Sequence, residues 1–285
     1  MNVVLLGASG QIGSLIYHGL DPMHRVVGTS RGLSPGHIQF DPFKDDWSVL
    51  GKPDVLINCI GQINATSRSS FYHIHVGLTK RMLAHREQIG FPRIIQISAL
   101  GASSNHEVEF LKTKGIADDL LLQHPDTAVI RPSIVCTRRT MLAKKMLLLS
   151  NISRYLFGCV AVPNGFLETR VQPIMPQDLV DLVARVCIDS NIRMIDAVGP
   201  KAISFREIIE TLSKCRNKEI RVIEISKRPV DFVVKTIITP LFPEVINSQQ
   251  YQLIFRDNTG NVELCEKWLG RGLMSTNEFF KQEFT

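Results

Sequence analysis

The sequence predicts an α/β fold, a doubly wound parallel sheet with a smaller C-terminal α+β lobe, and three observations carry that prediction. Short apolar runs rich in β-branched residues alternate with stretches of helical periodicity, the pattern of buried parallel strands joined by crossover helices. The first run ends in glycine, and glycines recur at Gly7, Gly10 and Gly13 before the first helical stretch. After residue 199 the alternation stops, and the chain opens with a helix-capping pattern instead.

The first strand is Asn2-Val3-Val4-Leu5-Leu6, and Gln11 to Leu20 continues as an apolar-periodic helix. Gly7, Ser9, Gly10, Gln11, Ile12 and Gly13 therefore occupy a strand-to-helix turn, the context a dinucleotide motif needs. Without Cβ atoms, Gly7 and Gly10 allow a tight turn and close approach of a pyrophosphate. Gly13 lets the helix pack near the sheet with its N-terminus aimed at the phosphates. The spacing is Gly-x-x-Gly-x-x-Gly rather than the Gly-x-Gly-x-x-Gly of many dehydrogenases. The alternative is a glycine-rich turn in an ordinary βα unit. On the dinucleotide reading, residues 1–198 form a Rossmann domain that binds NAD(P), and residues 199–285 form a smaller substrate or partner lobe packed on it.

The second strand, Arg25 to Ser30, ends where an acidic residue would bind the ribose hydroxyls of NAD. Ser30 and Arg31 stand there instead, a hydroxyl and a guanidinium suited to a 2′-phosphate, so NADP(H) is favoured over NAD(H). The other reading makes Arg31 a solvated loop residue and leaves either cofactor acceptable. Asp41, in Phe40-Asp41-Pro42, is either an adenine-edge acceptor or a turn former. Further strands read from His37 to Phe40, Asp54 to Cys59, Arg93 to Ser98, Thr127 to Arg131 and Met194 to Ala197. Helical patterns cover Ile74 to Glu87, Val108 to Gln123 and Leu179 to Ile188. Ligand is expected beyond the C-terminal strand ends, at Gly7, Ser30, Gly61 and Ser98.

In the last third, Ser204-Phe205-Arg206-Glu207 reads as a capping box opening a helix to Lys214, and Ser275-Thr276-Asn277-Glu278 as a second box. Ile220, Val222 and Ile223 to Ile225 suggest a strand between them. Val230, Val233, Val234, Ile237, Ile238, Leu241 and Phe242 fall at helical spacing. That stripe either packs into the smaller lobe or lies on a membrane surface.

Composition sets further bounds. The chain has 285 residues, 44% of them hydrophobic, and a formal net charge of +6, which suits a well-cored globular protein and argues against disorder. The basic residues are not interleaved with stacking aromatics, so no nucleic-acid module is expected. The set Arg138, Arg139, Lys144 and Lys145 fits acidic headgroups or a phosphorylated substrate, or else a solvated helix face. The six cysteines are far apart without a Cys-x-x-Cys pair, which points to free thiols in a reducing compartment. With the first strand starting at residue 2 or 3, no signal peptide is expected. Val230 to Phe242, interrupted by Lys235 and Pro240, is too short to span a bilayer. The expected location is cytoplasmic or peripheral to a membrane.

Several further stretches carry a family resemblance, namely Ile97-Ser98-Ala99-Leu100-Gly101-Ala102, Ile130-Arg131-Pro132-Ser133, Val171-Gln172-Pro173-Ile174 and Asp178-Leu179-Val180. Val198-Gly199-Pro200, Gln252-Leu253, Asp257-Asn258 and Leu269-Gly270 follow in the same order. With the glycine turn, these residues resemble an atypical short-chain dehydrogenase/reductase. The branch is that of the Rossmann-type accessory subunit of respiratory complex I and its epimerase-like bacterial relatives. The resemblance implies a coenzyme contact at Pro132 and a catalytic set in which a serine ends the fifth strand. A tyrosine then moves the proton, and a lysine one helical turn later binds the nicotinamide ribose.

Ser98 and Lys114 match that set. Phe110 stands at the tyrosine position and carries no ionisable proton, and Tyr17, Tyr72, Tyr155 and Tyr251 lack the spacing to a lysine. His106 and Glu107 would substitute only if their loop folded inward, the plainer reading of His106 being a solvated loop residue. His75 replaces the asparagine this family often carries after its fourth strand, and the glycine usual after Arg-Pro-Ser is missing around Cys136. The sequence thus implies an NADP(H)-binding protein of redox-family ancestry, with a sensing, assembly or structural role and little turnover. The alternative is an NAD(P)-dependent oxidoreductase or sugar-nucleotide epimerase-like enzyme using Ser98 and Lys114. A protein partner or an unknown small molecule completes either reading.

Overall fold

The computed structural model describes residues 1–62, 70–137, 159–215, 217, 220–234, 236, 248–276 and 279. Its strands are β1 (Asn2–Leu6), β2 (Arg25–Ser30), β3 (His37–Gln39), β4 (Val55–Asn58), β5 (Arg93–Ile97), β6 (Thr127–Pro132), β7 (Cys159–Pro163), β8 (Arg170–Val171), β9 (Met194–Ala197), β10 (Ile203–Ser204) and β11 (Arg221–Ile225). Seven of them form one sheet in the order β3-β2-β1-β4-β5-β6-β9, parallel at every pairing. The expected doubly wound parallel sheet is therefore present. The strand order reverses between β1 and β4, which opens the crevice where such sheets take ligands.

Helix α1 (Gln11–Leu20) joins β1 to β2, α2 (Leu78–Ala84) precedes β5, and α3 (Glu109–Leu122) lies between β5 and β6. The helix expected over 74–87 is shorter than its periodicity suggests. A π-helical turn, His73–Gly77, leads into α2, and the Thr79 hydroxyl donates to the His75 carbonyl at 2.9 Å. Leu6, Leu56, Ile94 and Val129 pack with Leu78, Met82, Leu121, Phe40 and Trp47 in one buried cluster. Arg93, at the start of β5, donates to the carbonyls of Val186, Asp189 and Ile192 at 3.0, 3.1 and 2.8 Å. It thereby satisfies the Val186 carbonyl, in the last turn of the helix Pro176–Ile188 where intrahelical partners run out, and two carbonyls of the loop that follows.

The chain divides into two compact units that interleave along the sequence. One comprises Met1–Pro132, Pro176–Ala197 and Glu263–Gly272, the other Ser133–Met175, Val198–Val262 and Leu273–Thr285. In the second unit β7 pairs with β11 in parallel and β8 with β10 antiparallel. Its core includes Phe166 stacked on Phe205 with ring centroids 4.5 Å apart. The Ser204 capping box forms as expected: Glu207 N donates to Ser204 Oγ at 3.2 Å, and Ser204 N donates to Glu207 Oε2 at 2.7 Å. It opens the helix Phe205–Cys215.

Within the apolar stripe, Val234 is buried and Val233 is exposed, while Ile237, Ile238, Leu241 and Phe242 lie outside the described residues. So do Arg138, Arg139, Lys144, Lys145, Tyr155, Lys235, Pro240, Asn277 and Glu278. Among the described residues no helix is long and apolar enough to cross a membrane.

Candidate functional site

The turn after β1 is built by close backbone approach. Gly7 has a φ of +78°, and a Cβ there would lie 2.9 Å from Ile60 Cγ1. At Gly13 a Cβ would meet the Gly7 carbonyl oxygen at 2.1 Å, so only glycine fits. Gly10 N donates to Gly7 O at 3.0 Å, and Ser14 N donates to Gly10 O at 2.8 Å. Gly10 caps α1 with no side-chain hydrogen bond, and the first turn carries no acidic residue. Ser9, Gly10 and Gln11 are exposed, Ile12 is half-buried and Gly13 is buried. Positive backbone charge at an uncapped helix start, faced by glycines whose missing Cβ atoms leave room, fits a diphosphate.

At the end of β2, the buried Ser30 spends its hydroxyl proton on Gly32 O at 2.5 Å. Gln39 Nε2 holds the Arg31 carbonyl at 3.2 Å, and Arg31 itself is exposed. Together these bonds pin the loop backbone and leave the guanidinium outward. The Asp41 carboxylate accepts from Phe43 N at 3.0 Å and lies 3.8 Å from Lys44 Nζ, the contacts of a turn former.

The other end of the site lies beyond β4 and β5, against α3. Lys114 is 4% exposed, and its Nζ donates to Ile97 O at 2.9 Å. A Cβ at Gly61 would stand 3.1 Å from that nitrogen. Burial pushes the Lys114 ammonium down from the ordinary lysine value, with Asp118 and Cys59 opposing. Burial also drives the Cys59 thiol up to about 12, which leaves it a poor nucleophile. Pro132, half-buried, accepts Leu100 N at 3.0 Å.

Ser98 Oγ donates to Asp118 Oδ2 at 2.8 Å, and Arg131 Nε donates to the same oxygen at 2.9 Å. Burial raises the Asp118 pKa, and the Arg131 charge is the first of the effects resisting that rise. Asp118 escaped the sequence reading. The available signal was an aspartate one turn after Lys114, on the same helix face as the buried Ala117 and Leu121, where a charge needs a partner.

Phe110 packs edge-to-face against Phe71 and His75, with centroids 6.0 and 5.6 Å apart. His75 is 1% exposed. Its Nδ1 lies 2.8 Å from Thr113 Oγ1, and the Thr113 hydroxyl also reaches Glu109 O at 2.9 Å. Burial, reinforced by Lys114, lowers the His75 pKa to about 2 against a backbone contact from Gln62. His106 Nδ1 accepts Val108 N at 2.9 Å, which ties it to the start of α3. Among the described residues no cluster of side chains could hold a metal ion, and none of the six cysteines is joined in a disulfide.

The sheet order and the glycine turn define a doubly wound α/β domain of the Rossmann type, and comparison with known proteins shows what it resembles. No family model matches the chain. It is 25% identical to NADH dehydrogenase (ubiquinone) 1 alpha subcomplex subunit 9, mitochondrial, of Arabidopsis thaliana, over 89% of this chain and 69% of that protein. With the NADH-ubiquinone oxidoreductase 40 kDa subunit, mitochondrial, of Neurospora crassa it shares 23% identity over 72% of this chain and 53% of the other. The chain thus spans about two thirds of one relative and about half of the other.

Among solved structures, a nucleoside-diphosphate-sugar epimerase of Staphylococcus aureus matches with a TM-score of 0.75 at 14% identity, covering 99% of this chain and 100% of that one. MoeE5 in complex with UDP-glucose and NAD matches with a TM-score of 0.72 at 14% identity, over 100% and 97%. These relatives and neighbours agree with the resemblance drawn from the sequence, to an atypical short-chain dehydrogenase/reductase in the branch of the complex I accessory subunit.

Proposed function

We propose that the chain binds NADP(H) at the β1–α1 turn and serves a sensing, assembly or structural role with little or no turnover. The observation that carries this reading is Phe110. The position one helical turn before Lys114 holds a phenyl ring packed against Phe71 and His75, so the general acid that reduction of a carbonyl requires is missing. Gly7, Gly10 and Gly13 supply the diphosphate cradle, with Ser9, Gln11 and Ile12 in its turn. Gly61, Pro132 and Lys114 line the nicotinamide end. Arg31, outward and unpaired among the described residues, takes the 2′-phosphate, and Ser30 shapes the loop that presents it. The coenzyme, when bound, would supply a hydride; the residues here would hold it without completing the proton transfer.

The curated relatives are named as subunits of an NADH-ubiquinone oxidoreductase, which supports a protein partner for this chain and a place peripheral to a membrane. The free thiols suit a reducing compartment. Isothermal titration of the purified protein with NADPH and NADH tests the binding half of the reading. Tighter NADPH binding is expected, and equal affinities would remove the case for Arg31 as the phosphate ligand. Incubation with NADPH and a broad carbonyl panel tests the other half. Sustained coenzyme oxidation would promote the alternative, an oxidoreductase or epimerase-like enzyme.

A further inference from the structure

We infer that Asp118 withdraws the Ser98 hydroxyl from the coenzyme end of the site, so that Ser98 is a positioning residue for the contact between α3 and β6. The inference rests on the reading of this cleft as a coenzyme site without turnover. It supplies a reason for the missing chemistry that is independent of Phe110.

A serine hydroxyl has a single proton to donate, and a guanidinium has no acceptor to offer. Asp118 Oδ2 receives Ser98 Oγ at 2.8 Å and Arg131 Nε at 2.9 Å, so the carboxylate oxygen is the acceptor for both. Asp118 is fully buried and Ser98 is 7% exposed, which leaves water little access to compete. Among the described residues Asp118 Oδ1 has no hydrogen-bond partner. Turning the Ser98 proton away would deprive a buried carboxylate that is already short of donors, an unfavourable change.

Asp196 neighbours Arg131 in the sheet register, and Lys114 lies one helical turn before Asp118. Charges of alternating sign, Lys114, Asp118, Arg131 and Asp196, therefore run from α3 across β6 to β9. Ser98 joins that row rather than the cleft. The Thr113 hydroxyl likewise reaches a protein acceptor, Glu109 O. Among the described residues, a carbonyl group placed before the nicotinamide would thus meet neither a tyrosine nor a free Ser98 proton.

Carboxyl carbon NMR on the full-length protein tests this, by titrating Asp118 in the wild type, Ser98→Ala and Ser98→Thr and measuring NADPH affinity in each. The expected result is an upward shift of the Asp118 midpoint by about one pH unit in Ser98→Ala, because a hydrogen bond to the charged form is lost. Ser98→Thr restores the wild-type midpoint, and NADPH affinity stays within about twofold in all three. An unmoved Asp118 midpoint in Ser98→Ala would overturn the inference. So would an NADPH affinity weakened about tenfold or more, since that places Ser98 on the coenzyme. If Ser98→Ala does not fold, Ser98→Cys keeps the volume with a weaker donor and is read by the same criteria. A wild type that binds no NADPH would remove the proposed function, while the Asp118 titration would still decide this point.

Discussion

At the β1–α1 turn the groups suited to a coenzyme are backbone, whereas at the β5–α3 end they are side chains, and the two ends have fared differently. The turn keeps Gly7 at positive φ, Gly13 where no Cβ fits, and an α1 start without a side-chain cap. At the far end Phe110 sits in an aromatic cluster, Ser98 is tied to Asp118, and His106 accepts the Val108 amide just ahead of α3. A backbone cradle depends on a few glycines and survives wide change elsewhere. Proton transfer depends on single side chains, and one substitution removes it. On the proposed reading, coenzyme binding and coenzyme chemistry are separable within one fold.

The first variant breaks the turn end. In Gly10→Val the Cβ starts 3.1 Å from Gly7 O, close enough for a small backbone adjustment to absorb, but the branched side chain fills the space a pyrophosphate would use. The protein should fold and lose NADPH-dependent thermal stabilisation, about 2.7 kcal/mol at a hundredfold excess over Kd. Stabilisation that persists would reduce the glycine turn to a structural feature.

At the other end, Asp118→Ala leaves Arg131 without its partner. A destabilisation of about 3–5 kcal/mol is expected in urea unfolding, partly recovered in the double variant with Arg131→Met. A loss below about 1 kcal/mol would show the ion pair to be dispensable. Arg31→Ala sharpens the comparison on the coenzyme side. It should weaken NADPH by about 1–3 kcal/mol and leave NADH unchanged by calorimetry. Equal weakening of both would make Arg31 a general contact.

A further expectation concerns pH dependence. Neutral His75 has a folded-state pKa near 2, against an ordinary value of 6.5. Below pH 6.5 the unfolded chain takes up a proton there that the folded chain refuses. The associated stability is full above that pH and is lost as pH falls, at about 1.4 kcal/mol per unit. His75→Asn should flatten the stability curve by that slope, measured as a difference from wild type. Parallel curves would mean that His75 is not held neutral.

Much of this was legible in the sequence, for physical reasons that particular residues show. Strands β1, β4, β5 and β6 are short runs dominated by apolar residues, and Ser204 and Glu207 carry their helix start within four residues. The strands β8 and β10 are two residues long, too short for any periodicity to register. The Ser98–Asp118–Arg131 contact joins a strand end, a helix interior and a second strand. No spacing rule links those positions, and only the fold brings them together. The aromatic cluster around Phe110 is equally non-local, since Phe71 and His75 come from the segment before α2. The order β3-β2-β1-β4-β5-β6-β9 is a long-range property, since the crossover rule fixes the hand of each connection and not which strands become neighbours.

The central claim is that the coenzyme is held but not used. It is tested most directly by saturating the wild-type protein with NADPH, confirming binding in the micromolar range, about −8 kcal/mol, and following coenzyme oxidation across a broad carbonyl panel. The expected result is tight binding with oxidation no faster than in protein-free controls, because the general acid worth about 10²–10⁴-fold is missing. Turnover that survives Phe110→Ala but disappears in Ser98→Ala or His106→Ala would contradict it.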